Sequence, residues 1–100
     1  MNRGFLLLSG LALAACALAD TTISLQGYNK SCATAADCVV VHAGEICGGC
    51  DCGNDAINRA DLDKYNAEFK DKEASCSEPP QHCPCVALMP LCTQGKCASQ

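Results

Sequence analysis

The sequence predicts a small disulfide-rich α+β domain. One helix over about residues 54–76 packs on a small antiparallel sheet, with strands near 38–43, 85–91 and 96–99. Three observations lead there. Eleven cysteines crowd a chain of 100 residues that has no Trp and few aromatics. One long stretch has helical periodicity. It lies between a β-branched run and an apolar run broken by proline. A domain of this size rarely gains enough stability from its core alone and needs covalent staples.

The N-terminus carries an address rather than structure. Met1-Asn2-Arg3 is a short cationic start, and Gly4 to Leu13 is an apolar run of signal-peptide length. It is too short to remain as a membrane span, which needs roughly 20 apolar residues. Two ends for the signal are legible. Ala17-Leu18-Ala19 is a small-x-small cleavage site, giving a signal peptide of 1–19. Leu13-Ala14-Ala15-Cys16 resembles the lipobox of bacterial lipoproteins, giving a signal peptide of 1–15. That resemblance implies a lipid on Cys16 and attachment to a membrane through it. Either end removes Cys16 from the thiol count. Ten cysteines are then left: Cys32, Cys38, Cys47, Cys50, Cys52, Cys76, Cys83, Cys85, Cys92 and Cys97. An even number in an exported small domain reads as five bridges, of pairing that the sequence leaves open.

Residues 16–31 are polar and without periodicity, and read as a tether; residues 32–100 read as the stapled domain. Within it, Thr34 is placed to cap a short helical turn through Ala35 and Ala36. Val39-Val40-Val41 is the strongest strand signal, and its continuity predicts a strand covered on both faces. Asn54 is a suitable N-cap for the helix. Along that helix Leu62, Tyr65, Phe69 and Cys76 fall within about 60° of one another, so one narrow stripe is buried. Acids early and lysines late suit the helix dipole. Asp55 with Arg59, and Glu68 with Lys72, have i,i+4 spacing. Pro79-Pro80 stops the helix at or before Glu78. In the tail, Gln94-Gly95 is a hairpin turn that sets Cys92 opposite Cys97. Pro90 demotes its own strand to an edge or a bulge.

Cys47-Gly48-Gly49-Cys50-Asp51-Cys52 is where chemistry would concentrate. With His82, Cys83 and Cys85 it offers enough soft ligands for zinc or an iron–sulfur centre. Cys47-x-x-Cys50 also has the spacing of thiol–disulfide exchange sites. Export and cysteine parity favour a structural reading over both, with no metal and no cofactor. The apolar segment 86–91 has two readings: a buried strand, or an exposed stapled loop offering Leu88 or Met89 to a protease. The strand is the simpler one. No Ser, His and Asp form a recognisable group, and the helix carboxylates read as a solvated face.

From Asp20 onward there are 11 acids against 6 bases, a net charge of −5. No basic cluster is present, which argues against nucleic acid as a partner. The whole chain is similar to the small cysteine-rich secreted proteins and lipoproteins of bacteria. The residues that carry this are the lipobox-like segment, Cys32-x5-Cys38-Val39-Val40-Val41, the Cys47–Cys52 knot and Cys92-Thr93-Gln94-Gly95-Lys96-Cys97. The resemblance implies export and a stapled fold, and no activity. The expectation is therefore a non-enzymatic domain of the cell envelope or the secreted fraction, with a structural role or a protein partner. Protease inhibition through loop 86–91 and exchange through Cys47 and Cys50 are the alternatives.

Overall fold

The valine run needs a strand beside it, and the chain supplies one from residues the sequence assigns to the helix. A computed structural model describes residues 20–100, so the expected signal peptide and the expected lipid site at Cys16 lie outside the described residues. In it, β2 (Cys38–Val41) pairs antiparallel with β4 (Asp55–Asn58), Val39 opposite Ile57 and Val40 opposite Ala56. Two shorter strands, β1 (Thr22–Ile23) and β3 (Gly44–Glu45), form a second pair. The third is the hairpin of β5 (Pro90–Thr93) and β6 (Lys96–Ser99). One helix, α1, spans Leu62–Glu73, and short 3-10 turns span Ala35–Asp37 and Arg59–Asp61. With five bridges, this is the small disulfide-rich α+β fold expected.

The β2–β4 ribbon is covered on both faces, as the unbroken valine run implies. Val39, Val41 and Ile57 face a cluster formed with Ile23, Tyr28, Ile46 and Tyr65, against which Leu62 and Phe69 pack. On the other face, Cys38 and Ala56 close against Cys97. Alternation along a strand sends successive side chains to opposite faces, so a ribbon buried on both needs apolar residues throughout.

Five expectations are corrected. The helix begins at Leu62 rather than near Asn54, because Ala56 and Ile57 are wholly buried in β4. Asn54 instead joins β2 to β4: its side chain accepts from the Ala43 N–H (2.8 Å) and donates to the Ala43 carbonyl (2.9 Å). Asn58 caps the 3-10 turn that leads into α1, its side chain accepting from Ala60 N–H at 2.8 Å. Asp55 consequently pairs with Lys30 (2.8 Å) and not Arg59, whose guanidinium reaches the Cys38 carbonyl. At the other end, α1 stops at Glu73 and bonds of the i→i−3 type carry the chain to Cys76. The first strand ends at Val41 rather than residue 43. The expected strand 85–91 is displaced to Pro90–Thr93, and residues 82–89 have no regular structure.

From Thr22 onward the stretch read as a tether is part of the fold. Ile23 is 1% exposed and Tyr28 is buried beside it. Helix lysines hold this stretch by its carbonyls: Lys72 donates to Thr22 (2.7 Å) and Lys64 to Gly27 (2.6 Å). Lys64 also stands 4.5 Å over the Tyr28 ring, a cation–π contact. The Tyr28 hydroxyl donates to Glu68 at 2.5 Å, and burial together with that carboxylate raises its pKa.

The expected stripe and the remaining helix pair are present. Tyr65 is buried with Leu62, Phe69 and Cys76 packed around it, and Glu68 lies 3.4 Å from Lys72. The closing hairpin also stands as read. Gln94 (φ 53°) and Gly95 (φ 76°) are both left-handed, as a two-residue I′ turn requires. Cys92 lies opposite Cys97 in β5–β6.

Candidate functional site

The knot is resolved by its partners. Cys47 bonds Cys76 at the end of α1, Cys50 bonds Cys83 and Cys52 bonds Cys85. The last two bridges have the same sequence separation of 33, which aligns Cys50-x-Cys52 in parallel with Cys83-x-Cys85. A short backbone bridge starts this alignment: Gln81 N–H donates to Gly49 (2.8 Å) and Asp51 N–H to Gln81 (3.3 Å). Two parallel segments with few hydrogen bonds are thus held as a ladder by sulfur. Gly48 makes the turn into it with φ +78°. Gly53 leaves it under Val40, so closely that a Cβ there would stand 2.4 Å from Val40 Cγ1.

These pairings separate the two cysteines of the C-x-x-C motif, since Cys47 and Cys50 belong to different bridges. The five cysteines of the suspected metal set are all oxidised as well, and a disulfide sulfur lacks the thiolate charge that binds a metal. The sulfurs of Cys32, Cys38 and Cys97 gather within 4.8 Å. They do so because Cys32–Cys92 and Cys38–Cys97 run side by side.

A shallow cleft between β2 and α1 holds His42, Asp51 and Tyr65. Asp51 faces His82 at 3.5 Å, and the polar atoms of His42 and Tyr65 are bound to the backbone. His42 Nδ1 meets the Cys52 carbonyl at 2.8 Å and Nε2 meets the Glu45 carbonyl at 3.0 Å. The Tyr65 hydroxyl donates to the His42 carbonyl (2.7 Å) and accepts from the His42 N–H (3.1 Å). Burial raises the Tyr65 pKa, partly offset by that N–H. Neither side chain has a free group to offer a reactant. Their work is to tie the knot to β2 and β3. Sequence reading gives His42 no role, and nothing local marks it as the tie, because its partners, the carbonyls of Glu45 and Cys52 and the hydroxyl of Tyr65, come from three later segments.

The surface that remains is the segment after the ladder. Cys85 is anchored to Cys52, and the Met89 backbone exchanges two hydrogen bonds with Gln100 (2.9 and 3.0 Å), lengthening the β5–β6 hairpin by one pair. Between these anchors Val86 is 83% exposed, Ala87 is exposed and Leu88 is half-buried, while Met89 is 69% exposed. No backbone hydrogen bond is made from Cys83 to Leu88 among the described residues. The simpler reading of 86–91 as a buried strand is therefore corrected over 86–89, an apolar loop fixed at both ends, while Pro90 and Leu91 join β5. The signal for it was Pro84, which has no N–H to give a ladder, between Cys83 and Cys85.

No known protein family, curated protein or solved structure matches this chain.

Proposed function

We propose that this is a non-enzymatic binding domain of the cell envelope, exported and held to the membrane by a lipid on Cys16. It presents the loop Pro84–Met89 to a protein partner. The observation that carries the binding role is the exposure of Val86 and Met89 on a segment whose ends are fixed. Isolated exposed apolar residues are ordinary; a short run of them on a pinned loop loses little conformational entropy when bound. Five disulfides favour an oxidising compartment. The acidic charge sets nucleic acid aside as a partner. The separate bridges of Cys47 and Cys50 count in favour of a structural role for both.

A photo-reactive side chain at position 86 tests the loop. It is expected to give a discrete adduct that excess unlabelled protein abolishes, while the same probe at Lys70, on the wet face of α1, gives none. Equal labelling from both positions would refute it. For the anchor, fatty-acid label is expected on the wild type and not on Cys16→Ser; label that survives the substitution removes the anchor from the proposal.

A further inference from the structure

Resting on the loop as the binding element, we infer that its partner is a serine endopeptidase with a small aliphatic specificity pocket. The loop occupies that cleft as a substrate-like inhibitor, with Val86–Ala87 as the reactive bond. Such enzymes bind an extended peptide by adding it to a strand edge, so the occupant needs free backbone groups and an exposed side chain. Met89 fails the first condition, because Gln100 takes both its N–H and its carbonyl. Leu88 is half-buried. Val86, 83% exposed, meets both conditions and follows directly on the Cys52–Cys85 anchor. The segment from Cys83 to Thr93 has no aromatic, Lys or Arg residue, which disfavours proteases that select those.

The anchors decide between inhibitor and substrate. The protease serine Oγ attacks the Val86 carbonyl carbon and the Val86–Ala87 C–N bond breaks. The serine proton passes through the protease base to the Ala87 nitrogen, leaving an acyl-enzyme and a free amine. That amine cannot diffuse away. Ala87 is two residues from Met89, which Gln100 holds, and the Cys32–Cys92 bridge secures the strand beyond. Val86 stays beside Cys85. An amine held next to its acyl partner re-forms the bond at high effective concentration, before water enters.

The test titrates the oxidised protein, cleaved of its signal, against an elastase-like serine protease. Inhibition with a constant on the order of 1 µM or tighter is expected. Val86→Lys, an exposed change that spares the fold, is expected to weaken this by roughly 100-fold and to create inhibition of trypsin. Removing the anchor with Cys52→Ala/Cys85→Ala is expected to turn the loop into a substrate cut after Val86. Full protease activity at saturating protein, or steady turnover of the wild type, overturns the inference. If that happens while the adduct at position 86 persists, only the protease is wrong; if the adduct is absent too, the loop itself is not the binding element.

Discussion

At the hairpin, the Cys38–Cys97 bridge is enclosed, with Cys38 0% and Cys97 2% exposed, whereas in the ladder Cys50 and Cys85 lie on the surface. The hairpin bridges fasten elements that already pair and pack: β5–β6 is a full antiparallel ladder, and Ala56 of β4 closes over the sulfurs. The ladder bridges fasten segments that otherwise meet, among the described residues, through the pairing around Gln81 and the His82–Asp51 pair at 3.5 Å. In one region sulfur completes a core as a buried apolar atom; in the other it replaces a core. The exposed loop belongs to the second region, where the chain is fixed in place without being covered.

The largest effect expected from this contrast is on bridge removal. A loop of the length closed by Cys38–Cys97 is worth about 4 kcal/mol in chain entropy. Cys32–Cys92 closes nearly the same loop and reduces that figure, while the lost packing adds to it. Cys38→Ala/Cys97→Ala is expected to cost about 3–5 kcal/mol. Cys52→Ala/Cys85→Ala, which removes a bridge less buried and closing a loop that overlaps that of Cys50–Cys83, is expected to cost only about 1–2 kcal/mol. Guanidinium denaturation midpoints compare the two, and equal losses would end the distinction.

Tyr65→Phe probes the joint between the regions. It strips the His42 N–H and carbonyl of their shared partner, with an expected cost of about 1–3 kcal/mol and no change in the helix signal by circular dichroism. Gly53→Ala sharpens the account of the ladder's exit. The new methyl must displace stiff, β-branched Val40, with an expected cost of about 1–2 kcal/mol in thermal unfolding. A neutral result would mean that the backbone at the ladder's exit shifts to make room for the methyl.

The smallest effect concerns acid. Glu45 accepts from the Cys47 N–H (2.8 Å) and then from the Thr21 hydroxyl, and these bonds hold its pKa below the ordinary 4.5. A carboxyl lowered on folding stabilises the native state above its unfolded pKa, and that stability fades as pH falls through the folded value. Glu45→Gln is expected to remove a small acid-limb dependence below about pH 4.5, read by thermal unfolding across pH 2–6. The limb should persist in part, because Asp37 is lowered in the same way by the N–H groups of Ala33 and Thr34.

How far the sequence reached can be followed element by element. The Thr34 turn, the valine strand, the helix stripe and the Gln94-Gly95 hairpin were legible because each is specified within a few residues. The helix start was not. Asp55–Asn58 carries acceptable helix chemistry, and only the demand of Val39 and Val40 for partners makes it a strand. The same holds for Ile23 and Tyr28, whose surroundings come from a helix some 40 positions away. The role of His42 and the choice between strand and exposed loop over 86–91 stayed open for the same reason, since what occupies or leaves free their polar groups lies elsewhere.

By itself, then, the sequence determined that the domain is small, acidic and stapled, with one helix and a closing hairpin. Composition and short-range periodicity are enough for that. Only the tertiary structure decided which sulfurs meet. Pairing depends on which distant segments are brought side by side, and spacing along the chain carries no such information. That choice turned the knot from a suspected centre into one rail of a ladder, and left Val86 standing clear at its end.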